Sequence, residues 1–140
     1  MTHENPALGD RIWHRLVHDS FLNALANLNG IAASVSAADV STLVAVAEAA
    51  IDLWRRDGAP HARAEEEQWF PALAGAGGAE DRTALSAEHA AIAALIADLD
   101  QAVQRQDGPN LAGLLARLLH AVEDHFQHED AVLAAGFQGP

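Results

Sequence analysis

The sequence predicts an all-α protein, an up-down-up-down bundle of four helices. Three observations carry that expectation. Half of the 140 residues are apolar while aromatics make up only 5%, and the apolar share is rich in Ala, which favours helix over strand on intrinsic propensity. No segment sustains an alternation of period two. Breaker clusters divide the chain into four helix-sized segments joined by short connectors, the pattern of antiparallel neighbours. The length suits one domain spanning 1–140, with a core over about residues 10–135.

The first helix is expected from about Gly9 to Asn29, ending at the Asn29-Gly30 pair, a common C-terminal signal. Ser36-Ala-Ala-Asp39 reads as a capping box that opens a long second segment. Gly58-Ala59-Pro60 interrupts this segment. A kink or short break is expected there, with helix resuming at His61 and running to about Leu73. Gly75-Ala-Gly-Gly78 forms a loop, and the third helix spans about Asp81 to Gln106. Asp107-Gly-Pro-Asn110 is a turn that starts the fourth helix, which ends near Gly136. The two halves also resemble each other weakly. Setting His18 on His89 places Leu28 on Leu99, and setting His61 on His125 places Glu65 on Glu129 and Glu66 on Asp130. A repeated helix pair of this kind gives a bundle a pseudo-twofold axis.

Composition narrows the function. Twenty acids against eight Arg leave a formal charge of −12, which disfavours nucleic acid or an anionic membrane as partner. With no Cys, disulfides, thiolate zinc sites, iron–sulfur clusters and cysteine nucleophiles are excluded. Met1 to Arg11 is polar and lacks the apolar stretch of a secretory signal. A soluble, cytoplasmic protein is therefore expected. Ser/His/Asp and phosphate-loop signatures are missing, so any catalysis is expected from a metal. The eight His are the feature that needs a cause.

Their positions on the helices supply one. On the third helix Leu85, His89, Ile92, Ile96, Leu99 and Val103 recur at steps of four and three, the seam that packs inward in a bundle. The fourth gives Leu111, Leu115, Leu118, Val122, His125, Glu129 and Val132. The first gives His14, His18, Phe21, Leu25 and Leu28. The second gives Val44, Ala47, Ile51 and Trp54, then His61, Glu65 and Gln68 if the kink preserves phase. In antiparallel helices the six residues His18, His61, Glu65, His89, His125 and Glu129 fall within about 9–18 Å of one end of the bundle. Any one of them alone reads as a satisfied core residue. Together they do not, because buried carboxylates need partners and an uncompensated buried ion costs several kcal/mol. A metal removes the penalty for both residue types.

Four imidazoles and two carboxylates exceed the needs of one tetrahedral zinc. A mixed nitrogen and oxygen set suits iron or manganese in near-octahedral geometry, and two such ions sharing two bridging carboxylates would keep open positions. The ferritin-like alternative, Glu-x-x-His, is not matched, since no Glu is followed three residues later by His. The segments Leu16-Val-His18-Asp, Pro60-His-Ala-Arg-Ala-Glu65-Glu-Glu-Gln-Trp-Phe-Pro71, Ser86-Ala-Glu-His89 and His125-Phe-Gln-His-Glu129-Asp instead resemble the hemerythrin-like (HHE cation-binding) family. That family carries a lone His on helices one and three and His-x-x-x-Glu on helices two and four. The resemblance implies a hemerythrin-like bundle with a non-haem, oxo- or hydroxo-bridged centre of two iron ions. His18, His61, His89 and His125 would be terminal ligands, and Glu65 and Glu129 bridges.

The resemblance has departures. Oxygen-carrying members add a fifth His one turn after the helix-three ligand, where this chain has Ala93; some sensor members carry an acid after the helix-two His, where it has Ala62. Reversible oxygen carriage is thereby disfavoured. His14, one turn before His18, is a candidate substitute, although its simpler reading is a partly buried or surface His near a helix start. His3, His120 and His128 read as terminal, surface or outer residues, Glu66 and Glu67 as a solvated acidic face, and Trp13, Trp54 and Trp69 as packing. Gln68 is a candidate hydrogen-bond partner of an iron ligand. The function expected is binding or reaction with oxygen, peroxide or nitric oxide at an open iron position. The alternatives are an iron- or redox-responsive module acting through a separate protein partner, and a weak peroxide-consuming enzyme.

Overall fold

The computed structural model describes residues 11–135. Among the described residues there is no strand, and the helices are α1 (Arg11–Ser34), α2 (Val40–Leu53), α3 (Ala59–Ala64), α4 (Phe70–Gly75), α5 (Ala79–Arg105) and α6 (Gly108–Ala134). The segments α2, α3 and α4 are joined by π-helical turns at Trp54–Gly58 and Glu65–Trp69, so they form one continuous arm. The architecture is thus four helical rods, as expected. The expected starts at Gly9 and end at Gly136 lie outside the described residues.

The arm corrects the expected break at Gly58-Ala59-Pro60. Each π turn closes with a backbone hydrogen bond five residues back, from Ala59 to the Trp54 carbonyl and from Phe70 to the Glu65 carbonyl. A proline follows immediately in both cases, Pro60 in α3 and Pro71 in α4. A proline has no N–H to give and its ring presses on the carbonyl four residues earlier; widening the preceding turn relieves both faults without breaking the helix. Two further boundaries differ from expectation. α1 runs through Asn29-Gly30 because Ala32 beyond it is buried in the core, and no left-handed residue is needed to stop it. Ser36 and Asp39 do not form a capping box. Ser36 Oγ accepts from Ala38 N, while Asp39 alone caps α2 by accepting from Thr42 N. Asp107 does the same for α6 through Asn110 N.

α1 packs on α2 and α6, and α5 packs on α2 and α6, which closes the ring of four rods. The inward seams of α5 and α6 are buried as expected, with Leu85, Leu99, Leu111 and Leu115 fully enclosed, except at Val103, which is half-buried while Ala102 beside it turns inward. The larger apolar cluster, including Leu25, Leu43, Ile51, Ile92, Leu118 and Val122, fills most of the bundle. A second, smaller cluster joins Trp69, Phe70 and Leu73 to Leu85, Val132 and Leu133. Burial of such side chains contributes about 1.5–3 kcal/mol each. That contribution can offset a polar layer in the same core.

Candidate metal centre

Such a layer exists. His14, His18, Glu65, His89, His125 and Glu129 are all buried, at 0–9% exposure, and the His61 side chain is only 10% exposed. The structure brings all six sequence-expected residues together, and adds His14. Their ligating atoms form two groups, each within 4.8 Å: His14, His18, His61 and Glu65 in one, Glu65, His89, His125 and Glu129 in the other. Glu65 belongs to both. Its Oε2 is hydrogen-bonded to His14 Nε2 at 3.0 Å and lies 3.7 Å from His61 Nε2, while its Oε1 lies 3.2 Å from His89 Nε2. Glu129 reaches across in the same way, with Oε1 2.5 Å from His125 Nε2 and Oε2 3.5 Å from His14 Nε2 and 3.9 Å from His18 Nε2.

His14 corrects the simpler sequence reading, since it is fully enclosed at the centre. Its i, i+4 relation to His18 brings the two rings to 4.5 Å between centroids, tilted by 44°, and Trp69 meets it edge-on at 5.1 Å. Ala93, where a fifth His stands in oxygen carriers, is exposed on α5. The fifth imidazole of this chain therefore comes from α1 and not from α5.

The outer faces of the imidazoles are held by carboxylates and rings. Glu88 Oε1 accepts from His125 Nδ1 at 2.7 Å, and its Oε2 accepts from His128 Nδ1 at 2.8 Å. Glu66 Oε2 lies 3.4 Å from His89 Nδ1, and Ser86 Oγ donates to the same carboxylate at 2.5 and 2.9 Å. Asp130 Oδ1 stands 3.3 Å from His18 Nδ1. An acid on Nδ1 fixes the tautomer that presents Nε2 inward and raises its basicity. Phe126 stacks on His18 at 3.8 Å and Phe70 on His89 at 5.1 Å.

Several assignments from sequence change here. Glu66 is not part of a solvated face, since it braces His89, whereas Glu67 is exposed. Gln68 is exposed too, because the π turn Glu65–Trp69 has a longer repeat and brings Trp69 inward one turn after Glu65. His120 is exposed. His128 is an outer residue that touches Glu88 and Asp81. His3 and the side chain of Trp13 lie outside the described residues. Glu88 was not anticipated, although its place directly before His89 was visible.

Electrostatics agree with a cation-binding core. Burial, reinforced by neighbouring imidazoles, lowers His14 from 6.5 to about 4, and burial lowers His61 to about 4 as well. Burial, then His125, lowers His89. At neutral pH these rings are uncharged, the form that ligates metals. Burial also lowers His125, but Glu129 and Glu88 beside it more than offset this and raise it. Burial, then the Glu129 charge, pushes Glu65 well above the usual carboxylate range. Burial acts the same way on Glu129, but the polar hydrogens of Glu65 and His125 overrule it and hold Glu129 below that range. Two buried carboxylates this close cannot both be charged cheaply without a cation. His18 Nε2, which faces Glu129, makes no hydrogen bond despite burial. A buried polar atom left in this way fits a bound ion.

A ring of four helical rods around a layer of five imidazoles and two carboxylates defines a cation-binding helical bundle. The chain belongs to the hemerythrin HHE cation-binding domain family, whose model matches residues 13–135. Comparison with curated proteins and with solved structures returned no match. Among the described residues, no helix is long and apolar enough to cross a membrane.

Proposed function

We propose that the chain holds two iron ions in this layer and binds or reacts with oxygen, peroxide or nitric oxide at an open iron position. The observation that carries the reading is the pair of four-residue ligand groups sharing Glu65. His14, His18, His61 and Glu65 would hold one ion, and Glu65, His89, His125 and Glu129 the other. The mixed nitrogen and oxygen donors suit iron better than a thiolate-seeking metal. Bound iron supplies a Lewis-acidic, redox-active centre.

The chain's own residues do the remaining work. Glu88, Glu66 and Asp130 orient three imidazoles, and the Trp69–Phe70 cluster closes one side of the layer against water. A cavity of about 730 Å³ reaches the layer from the other side and is lined there by His61, Glu65, His89 and His125, but not by His14, His18 or Glu129. A small molecule entering from solvent therefore meets both imidazoles of the His89–His125 group but only His61 of the other three. The His89–His125 group also has one fewer imidazole, so its ion would be the one to take a small ligand.

The test is metal analysis of protein purified without oxygen, followed by titration with oxygen, peroxide and nitric oxide under absorbance. Two irons per chain and new near-ultraviolet or visible bands are expected. Absence of any spectral response to all three would overturn the reading.

A further inference from the structure

The same cavity is far larger than the molecules just named require. A diatomic gas needs about the room of one water, roughly 30 Å³, whereas the cavity measures about 730 Å³. That volume lies in the range of pockets that take organic ligands, about 300–1,000 Å³.

Its walls are apolar and built from two elements. From α1 come Leu16, Val17, Phe21 and Ala24; across from them stand Leu53 and Trp54, at the first π turn. The π turn matters for the shape. Trp54 folds back along its own arm over Gly58, where any Cβ would overlap the indole and press on Phe21. Phe21 and Trp54 meet edge to face at 6.4 Å between centroids. The indole is thereby a wall of the cavity and not its plug. Ala62, directly after the ligand His61, adds a small side chain where a bulky one would narrow the passage to the layer.

Charge defines the ligand further. At the mouth Arg56 and Asp57 pair with each other at 3.3 Å and leave no net charge to recruit an ion. The chain as a whole carries −12, which repels anions. The only polar groups deep in the cavity are those of the candidate metal layer.

We propose that this cavity binds an uncharged organic molecule with an aryl or alkyl body the size of a substituted benzene ring or larger. Its one uncharged oxygen-bearing head, an alcohol or hydroperoxide, sits at the His61–Glu65–His89–His125 floor. The proposal names a substrate class for the site under Proposed function and rests on that reading only for the metal at the floor.

The probe is cumyl alcohol, titrated by calorimetry into metal-loaded, full-length protein, with its carboxylate analogue, 2-methyl-2-phenylpropanoate, as a charged comparison. Two variants obstruct the cavity away from the floor. Ala24→Phe fills its interior, and Ser20→Trp, at an exposed lining position, blocks it without touching the core. Cumyl alcohol is expected to bind the parent protein at millimolar concentration or below and each folded variant at least about tenfold more weakly. Metal content and the response to nitric oxide should remain at parent levels in both. No binding to the parent, equal binding to the parent and Ser20→Trp, or tighter binding of the carboxylate would each overturn the proposal. A nitric oxide response without alcohol binding defeats this proposal alone. Alcohol binding that the variants weaken, without a nitric oxide response, defeats the small-molecule reading and leaves the cavity site standing.

Discussion

The two ligand groups share Glu65 yet are built differently. The His14–His18–His61 group is rich in imidazole and reaches the cavity through only one of its imidazoles, His61, whereas the His89–His125 group has two carboxylates, Glu65 and Glu129, and turns both of its imidazoles to it. Their bracing differs too. His125 is held by Glu88 at 2.7 Å, while His14 Nδ1 makes no hydrogen bond and is fixed by contact with His18 and Trp69. The contrast teaches that one layer can contain a site designed to be filled and a site designed to be approached. Imidazoles saturate the first, and oriented ligands with space in front define the second.

The largest effect should come from removing what the groups share. Glu65→Ala is expected to drop metal content from two ions per chain to below one, because both groups lose a ligand; elemental analysis of the purified variant checks this. His14→Ala should separate the groups, leaving about one ion per chain with the response to nitric oxide retained. The double variant His14→Ala/Ala93→His should stay at one ion, since residue 93 is exposed; recovery of the second ion would show that α5 can supply the fifth imidazole after all.

Bracing should matter less than ligation. Glu88→Gln is expected to weaken metal affinity by about 10–100-fold, as loss of an outer carboxylate typically does, and to act on the His89–His125 group alone. Asp130→Asn should cost less than about tenfold, because Asp130 is 44% exposed and stands 3.3 Å from His18 without aligned hydrogen bonding. Competition with a chelator measures both.

The smallest effect is in the pH response of metal-free protein. His14 and His61 have folded values of about 4 against 6.5 unfolded, so the unfolded chain binds more protons between those limits. Stability attributable to them is therefore lost as pH falls from 6.5 towards 4, by on the order of 3 kcal/mol each at most. Glu65, raised in the folded state, works in the opposite direction as it takes up its proton. Glu65→Gln removes that compensation. Urea denaturation at several pH values should show a steeper acid-side loss in the variant than in the parent, and a shallower one would contradict the assignment.

Legibility in the sequence followed helical regularity. On α5 and α6 an unbroken repeat placed His89, His125 and Glu129 on the inward seam without error. On the second arm the same rule carried His61 and Glu65 correctly and then failed at Gln68, because a π turn lengthens the repeat and periodicity alone does not contain it. The cause was nevertheless present in Pro60 and Pro71, which read as breakers and act as wideners. His14 was under-read because one His near a helix start has a cheaper explanation, and only packing from Trp69 and His61 removes it. Glu66 was misread because an acidic run usually faces water. Its alignment with Asp130 was the better signal.

That alignment has a consequence for ancestry. Glu66, next to Glu65, reaches His89 in the second half of the chain, and Asp130, next to Glu129, reaches His18 in the first. Neither helix pair braces its own lone His; each borrows an acid from its counterpart. Two identical copies of one pair, meeting about a twofold axis, would exchange the same contacts between molecules. Fusing such copies into one chain would turn a reciprocal handshake between molecules into an internal one.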